Sequence, residues 1–224
     1  MDKNKKAVTE MENGNLEEAA KLLNEAIEEN PKNPVAYVNF GNLLSAVQEE
    51  ERAIIFFNKA IELDEYQATA YYGKGNVLFN QGLYLEAIDA YQEALARDLK
   101  EGDVYYMLGL SFYQNGDLSR ALPSLQRATE LNPTDVDAHF QYGLTLAQLE
   151  QIEESITMFE KVLQLNPLHA DSYFNLGVAY SYQEQLDKAV MMFDKALELQ
   201  PDHILSANGK KQLEKLLQQG DERK

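Results

Sequence analysis

Charged and uncharged helical segments alternate along the chain. The stretch from Val35 to Val47 contains no charged residue, whereas the segment after it begins with Glu50, Glu51 and Arg52. Apolar residues recur at spacings of three and four in both kinds of segment, which is the period of an α-helix. The charged segments have one polar side and are predicted to be amphipathic surface helices. The uncharged segments are apolar most of the way round, so we expect neighbours to cover them on more than one side.

Small residues repeat with a period of 34, and this period predicts the architecture. One column is glycine: Gly41, Gly75, Gly109, Gly143 and Gly177. Two columns are alanine, with Ser155 and Val162 in the gaps: Ala19, Ala53, Ala87, Ala121 and Ala189, then Ala26, Ala60, Ala94, Ala128 and Ala196. A fourth column is proline, interrupted by Glu65 and Leu99: Pro31, Pro133, Pro167 and Pro201. A fixed period of this length predicts a small helical unit stacked on copies of itself.

These columns resemble the tetratricopeptide repeat (TPR) family. With Pro34 as position 1 of a repeat, Gly41 stands at the family's position 8, Ala53 at 20 and Phe57 at 24. The tryptophan of position 4 is replaced in successive repeats by Tyr37, Tyr71, Tyr105, His139 and Tyr173. The resemblance covers nearly the whole chain. It implies an all-α fold, a right-handed α-solenoid (superhelix) in which each repeat is a helix A followed by a helix B.

The period divides the chain into repeats and a cap. Residues 1–33 form a degenerate first repeat, with Ala7 and Glu10 where a glycine and an aromatic are expected, and with a helix B predicted over 16–29. Five full repeats follow in residues 34–203: 34–67, 68–101, 102–135, 136–169 and 170–203. Residues 204–220 are predicted to be a polar capping helix, as terminal repeats need, and 221–224 a disordered tail.

Turns between helix A and helix B are marked by glycine in three repeats. The dipeptides are Asn13-Gly14, Gln81-Gly82 and Asn115-Gly116. Glycine takes a positive φ at little cost, so tight turns are predicted there. The small residues at positions 8 and 20 are predicted to let the paired helices approach closely.

Helix A carries a second apolar stripe, which predicts a binding surface. Positions 4, 7, 8 and 11 are accounted for by packing on helix B, and positions 2, 5, 9, 12 and 13 lie on another face. The resemblance implies that this face lines the concave side of the superhelix and holds peptide ligands. The candidate groove residues are Asn42, Tyr72, Asn76, Phe79, Asn80, Tyr106, Leu110, Tyr113, Gln114, Phe140, Leu144, Gln148, Phe174, Val178 and Tyr182. The candidate rim residues are Asp103, Asp137 and Asp171.

The residue types in the groove indicate what it would bind. Tyrosine offers contact area and a hydroxyl, and asparagine and glutamine can hydrogen-bond a peptide backbone. Chaperone-associated TPR domains grip a C-terminal carboxylate with lysine, arginine and asparagine on helix A. Asn42 and Asn76 match such asparagines, but positions 2, 5, 6 and 9 hold no lysine or arginine in any full repeat. We therefore expect a neutral to basic peptide with hydrophobic anchors. The alternative is that some of the rings pack between adjacent A helices.

The net charge of −17 narrows the range of partners. An acidic surface repels phosphate backbones, so no direct nucleic-acid binding is expected, and no membrane binding. Solubility and steering of basic partners remain alternative roles for this charge. No apolar run approaches the roughly 20 residues that a membrane span needs. The start of the chain has no apolar segment typical of a secretory signal, and cysteine is absent, so a cytoplasmic location is expected.

The sequence offers no enzyme signature, and we expect no cofactor and no metal. His169 and His203 follow prolines at the same turn of successive repeats, and His139 is predicted to pack in the core. Gly73-Lys74-Gly75 resembles part of a phosphate loop but lies inside a predicted helix, where packing is the better interpretation. The hypothesis is a non-catalytic scaffold that binds a peptide segment of a cytoplasmic partner. The alternative is a self-assembling structural protein that docks through its terminal repeats; we expect a monomer.

Overall fold

The computed structural model describes residues 2–221, and the side chains of residues 2–217. Thirteen helices and no strand occur in this part of the chain, which confirms the predicted all-α class. Residues 1–117 form one compact unit and residues 118–224 another. The helices of the first unit are α1 (Lys3–Glu12), α2 (Leu16–Glu29), α3 (Pro34–Ala46), α4 (Glu50–Leu63), α5 (Ala68–Asn80), α6 (Tyr84–Ala96) and α7 (Gly102–Gln114). Those of the second unit are α8 (Leu118–Leu131), α9 (Val136–Gln148), α10 (Ile152–Leu165), α11 (Ala170–Tyr182), α12 (Leu186–Leu199) and α13 (Ile204–Asp221).

The ends of the chain differ in how well the sequence predicts them. The bounds of α2 are those predicted. The degenerate helix A of the first repeat still forms α1, which begins after Asp2, whose carboxylate accepts the backbone N–H of Asn4 at 3.0 Å. The amide of Asn39 donates to Asn4 at 2.8 Å and ties α1 to α3. The last helix includes Asp221, so the predicted tail is wrong at that residue; its remaining residues, 222–224, lie outside the described part.

Helices of the same unit pack on their neighbours along the chain, and several A helices also pack on one another. In the first unit α1 contacts α3, α3 contacts α5, and α5 contacts α7. In the second unit α11 contacts α13 in the same way. In these pairs helix B covers one side of helix A and the adjacent A helix covers another. This double cover explains why the A helices are apolar most of the way round.

A buried side chain at position 24 packs directly on the backbone of the glycine at position 8. A Cβ added at Gly75 would lie 2.6 Å from the ring of Tyr91, and that ring is fully buried. The same contact recurs in three other repeats, with Cβ-to-ring distances of 2.6–2.9 Å: Gly41 on Phe57, Gly143 on Phe159 and Gly177 on Phe193. Ordinary carbon contacts lie at about 3.5–4.0 Å, so any side chain here forces the helices apart. The predicted role of these glycines is confirmed.

The turn between helix A and helix B places one residue in the left-handed region in six repeats. Glycine holds this position at 14, 82 and 116, with φ of 74–80°. Gln48, Glu150 and Glu184 hold it in the other three, with φ of 59–62°. A hydrogen bond closes each turn; Leu83 N–H donates to Leu78 O at 2.9 Å, and Glu49 N–H to Leu44 O at 2.8 Å. The glycine turns are those predicted from the sequence, and the turns at Gln48, Glu150 and Glu184 were not predicted.

Replacing Gly82 by alanine isolates the cost of this conformation. Nothing lies within 4 Å of a Cβ at Gly82, so packing has no part in the effect. We expect Gly82→Ala to lower the free energy of unfolding in urea by about 1 kcal/mol, because an L-residue is strained at positive φ. Gln48→Ala, at the equivalent position, already carries the strain and should change it by less than about 0.5 kcal/mol. Equal losses in the two variants would contradict this account.

Replacing Gly75 by leucine tests the close approach of the paired helices. Tyr91 is fully buried and has no room to retreat from the added side chain. We expect Gly75→Leu to lower the free energy of unfolding by about 1–3 kcal/mol through overpacking, measured by urea denaturation. The control is Asn80→Leu on the same helix, at an exposed position, with an effect within about 0.5 kcal/mol. A Gly75→Leu protein as stable as the control would show that the helices are free to separate.

Candidate functional site

The predicted groove residues lie on the A helices and differ in exposure. Six are exposed: Asn42, Asn80, Gln114, Gln148, Val178 and Tyr182. Nine are half-buried: Tyr72, Asn76, Phe79, Tyr106, Leu110, Tyr113, Phe140, Leu144 and Phe174. The rim residues Asp103, Asp137 and Asp171 are all exposed. The face is therefore open to solvent in both units, but its aromatic part is covered more than its amide part.

The rings at position 5 of helix A also have a packing role. Phe140 lies against Phe159 of its own repeat, with ring centroids 5.8 Å apart, and Phe174 lies against Phe193 at 5.9 Å. In the first unit Tyr72 packs on Tyr91 in the same way, at 5.9 Å. Each of these rings touches the buried ring that packs on the position-8 glycine. The alternative weighed from the sequence was packing between adjacent A helices; the packing seen here is on helix B of the same repeat, and it leaves each ring half-buried.

His169 and His203 cap the A helices that follow them. Nδ1 of His203 accepts the backbone N–H of Ser206 at 3.1 Å, so Nε2 carries the proton and donates to the carboxylate of Asp171 at 3.0 Å. Nδ1 of His169 accepts the N–H of Ser172 at 3.1 Å. These ring nitrogens do what an Asn or Asp oxygen does at other helix starts. Their rings also pack on groove residues. The ring centroids of His169 and Phe140 are 4.7 Å apart, and those of His203 and Phe174 are 5.3 Å apart.

The predicted core histidine, His139, is buried and only 7% exposed. Its Nε2 lies 3.1 Å from the carbonyl oxygen of Pro133 and donates to it. In an earlier repeat the hydroxyl of Tyr37 donates to the carbonyl of Pro31 at the same distance. The histidine therefore reproduces the hydrogen bond of the aromatic residue that it replaces at position 4. The prediction that it packs in the core is confirmed.

Polar groups of the first unit's groove face are partly committed to the fold. The hydroxyl of Tyr91 donates to Oδ1 of Asn76 at 2.8 Å, and the side chain of Asn76 also hydrogen-bonds Tyr72. Burial raises the pKa of Tyr72; the hydrogen bond with Asn76 opposes this, and the carboxylates of Asp103 and Glu101 raise the pKa further by smaller amounts. Tyr72 is therefore a neutral phenol at physiological pH and keeps its hydrogen-bond donor. The face offers neutral donors and acceptors suited to a peptide backbone.

Lysine is kept away from this face. Lys74 is the one charged residue of helix α5, and its Nζ donates to Oδ1 of Asn58 on the preceding helix B at 2.9 Å. The side chain of Lys74 is thus held by a residue of α4. With Asp103, Asp137 and Asp171 exposed at the rim, the electrostatic environment of the face is neutral to acidic. A ligand carboxylate would meet like charge here, and a basic group would meet opposite charge.

A cavity of about 290 Å³ opens on the groove face of the second unit, between α9 and α11. The predicted groove residues Gln148, Val178 and Tyr182 line it. Val178 is 45% exposed and Tyr182 is 65% exposed. An apolar cavity with a few polar groups is the ordinary form of a binding site.

A second apolar cavity, of about 350 Å³, lies on the first unit away from the groove face. Tyr37 of α3 and Ile55 and Phe56 of α4 line it. The sequence does not predict this cavity, because Ile55 lies on the charged side of helix B, and that side is expected to face solvent. It offers a competing surface, which a binding experiment has to distinguish from the groove.

The described residues present neither a metal-binding cluster nor a membrane-spanning helix. No group of three or more His, Asp or Glu side chains is placed there to hold a metal ion. None of the helices there is long and apolar enough to cross a membrane.

Comparisons with known proteins identify the family of these repeats. Models described as tetratricopeptide repeat match residues 10–72, 66–134, 124–157 and 170–203, and one described as TPR repeat matches 143–183. Among solved structures, YrrB is 46% identical over 86% of this chain and 99% of its own, with a TM-score of 0.81. The chain belongs to the tetratricopeptide repeat family. It is an all-α TPR solenoid, and the handedness predicted from the resemblance stays a prediction.

Other solved structures are similar over most of the chain. YrrB is described as a TPR protein with an unusual peptide-binding site. MamA is 25% identical over 76% of this chain and 93% of its own, with a TM-score of 0.72. PilF of Pseudomonas aeruginosa, at 19% identity and a TM-score of 0.81 over 94% of this chain and 96% of its own, shares the fold. No curated protein sequence matches this TPR chain.

Removing the hydroxyl of Tyr91 tests how the groove asparagine is held. Tyr91→Phe leaves Oδ1 of Asn76 without its donor in a half-buried place. We expect the free energy of unfolding to fall by about 0.5–1.5 kcal/mol, the usual contribution of one hydrogen bond. The matched control is Tyr66→Phe, whose side chain is 74% exposed, with no measurable effect. An unchanged stability in Tyr91→Phe would mean that Asn76 finds its partners in water.

Proposed function

We propose that this TPR protein is a non-catalytic scaffold that binds a peptide segment of a cytoplasmic protein on the groove face of its A helices. The observation that carries the proposal is the exposed apolar pair Val178 and Tyr182 beside the cavity between α9 and α11. Exposed apolar surface lining a concavity is favourable to cover and is typical of interaction sites. TPR domains are in general protein-interaction modules, and YrrB, a 46% identical neighbour, is described by its peptide-binding site.

The polar groups of the face support a peptide rather than a small apolar ligand. Asn42, Asn80 and Gln114 are exposed at positions 9 and 13 of successive repeats in the first unit. Amides that recur along adjacent helices suit the donors and acceptors that recur along a peptide main chain. The exposed rim carboxylates favour a neutral to basic segment and disfavour an acidic one. Because part of each position-5 ring is already buried by packing, the affinity should be modest, on the order of micromolar.

The experiment compares two pairs of exposed apolar residues. Peptides are selected on the wild-type protein from a random display library, and their dissociation constants are measured by fluorescence anisotropy. The groove variant is Val178→Ser with Tyr182→Ser. The control is Ile55→Ser with Tyr66→Ser, which removes a similar aliphatic and aromatic pair, 64% and 74% exposed, away from the groove. Serine at such exposed sites should leave the stability of both proteins nearly unchanged.

We expect the groove variant to weaken binding of the selected peptides at least about tenfold, or about 1.4 kcal/mol. The control should stay within about a factor of two of the wild type, which is below the effect of one lost anchor. Loss of binding in the control with full binding in the groove variant would place the site at the cavity beside Ile55. That result would refute the proposal.

A further inference from the structure

Helices α9 and α11 leave a gap between them that the neighbouring pair of A helices does not leave. Helices α11 and α13 pack on each other, and α9 and α11 pack less closely. Glycine at position 6 of the repeat allows α13 to lie close to the preceding repeat. Gly209 of α13 has no side chain there, and an added Cβ would lie 2.8 Å from the ring of Phe193. Asn175 stands at the same position of α11 and lines the cavity.

The cavity has an apolar floor and walls. Ile152 and Ala179, 7% and 4% exposed, form the floor. Ala147, Val178 and Tyr182 form the walls, and the last two are open to solvent. At about 290 Å³ the space accommodates one long side chain rather than a folded segment. An unbranched aliphatic chain would bury its methylenes here, at a gain of about 0.8 kcal/mol for each fully buried CH₂.

One carboxylate lies at the open end of the cavity. Glu150 lines it from the turn between α9 and α10, is exposed, and forms no ion pair or side-chain hydrogen bond with a described residue. It is also one of the three non-glycine residues at the left-handed turn position, with φ of 59°. Glycine fills that position in three other repeats. A strained glutamate where glycine would fit is a reason to look for a role of its carboxylate.

We infer that this cavity takes the side chain of a lysine from the bound peptide, with its stem on Val178 and Ile152 and its ammonium at Glu150. Lysine matches both halves of the site, because it joins a four-carbon apolar stem to a compact charge. Long basic side chains bury their stems and keep their charge in water. The exposed ring of Tyr182 adds a favourable surface for a cation. The inference rests on the proposed peptide-binding function and names the residue that anchors the peptide in the second unit.

The test uses three blocked amino acids as probes on the full chain. They are the Nα-acetyl methylamides of lysine, norleucine and glutamate, which share a backbone and differ in side-chain charge. Binding is followed by NMR through the methyl resonances of Ala147, Ile152, Val178 and Ala179. We expect the lysine probe to shift these resonances saturably and to bind at least about threefold more tightly than norleucine at low salt, with the difference reduced at high salt. The glutamate probe should bind more weakly than norleucine.

Two matched variants isolate the carboxylate. Glu150→Gly removes it and relieves the positive φ, and Glu184→Gly makes the same backbone change in the next repeat. Both variants should melt at or above the wild-type temperature, so loss of fold does not confound the result. We expect Glu150→Gly to abolish the preference for lysine over norleucine and Glu184→Gly to keep it. Equal binding of the two probes to the wild type, a preference that persists in Glu150→Gly, or no methyl shift would each overturn the inference.

The outcomes also separate this inference from the proposed function. Selected peptides that still depend on Val178 and Tyr182, together with no lysine preference, would leave the groove function standing and remove the lysine pocket. A lysine preference in the cavity, together with peptide binding that does not depend on Val178 and Tyr182, would leave the lysine pocket standing and remove the proposed groove function.

Discussion

The contact on which the rest of the structure depends is the one between a buried ring and a bare backbone inside four of the hairpins. In four repeats the ring at position 24 packs where the Cβ of position 8 would be, at 2.6–2.9 Å. This contact sets how closely helix A approaches helix B, and it turns the second apolar stripe of helix A away from its own partner. The groove face exists because the first stripe is satisfied by glycine and a ring. The same ring then supports the aromatic residue at position 5 from below, as Phe159 supports Phe140.

A second spacing, between successive A helices, varies while the repeat stays in register. At two places glycine at position 6 lies directly against the buried ring of the previous repeat. A Cβ at Gly73 would lie 2.5 Å from Phe57 of the previous repeat, and one at Gly209 would lie 2.8 Å from Phe193. Where Asn175 takes that position, α9 and α11 stand further apart and a cavity forms. The spacing between successive A helices can thus change without disturbing the hairpins on either side.

The sequence predicts the frame of this protein well, because the frame rests on residues with no substitute. Only glycine permits the approach of Gly75 to Tyr91, and such residues recur visibly every 34 positions. The left-handed turns at Gln48, Glu150 and Glu184 are not visible in this way. There the hydrogen bonds across the turn impose the conformation, and the side chain accepts the strain. The caps at His169 and His203 escape notice for a related reason, since a ring nitrogen replaces the usual oxygen.

The groove itself is only half predictable. Helical periodicity assigns Phe174 and Tyr182 to the same face, but it does not say that Phe174 is partly covered by Phe193 and His203 while Tyr182 is 65% exposed. That difference depends on side chains of neighbouring helices, which a single period does not encode. It moves the best-exposed part of the face in the second unit from the position-5 rings to the end of α11.

The most direct test of the account is a crystal structure of the chain with a peptide selected on it. The account predicts that the peptide lies on the A helices, contacts Val178 and Tyr182, and places a basic side chain between α9 and α11. A peptide bound at Ile55 and Phe56 on helix B, with the A-helix face left open, would contradict it.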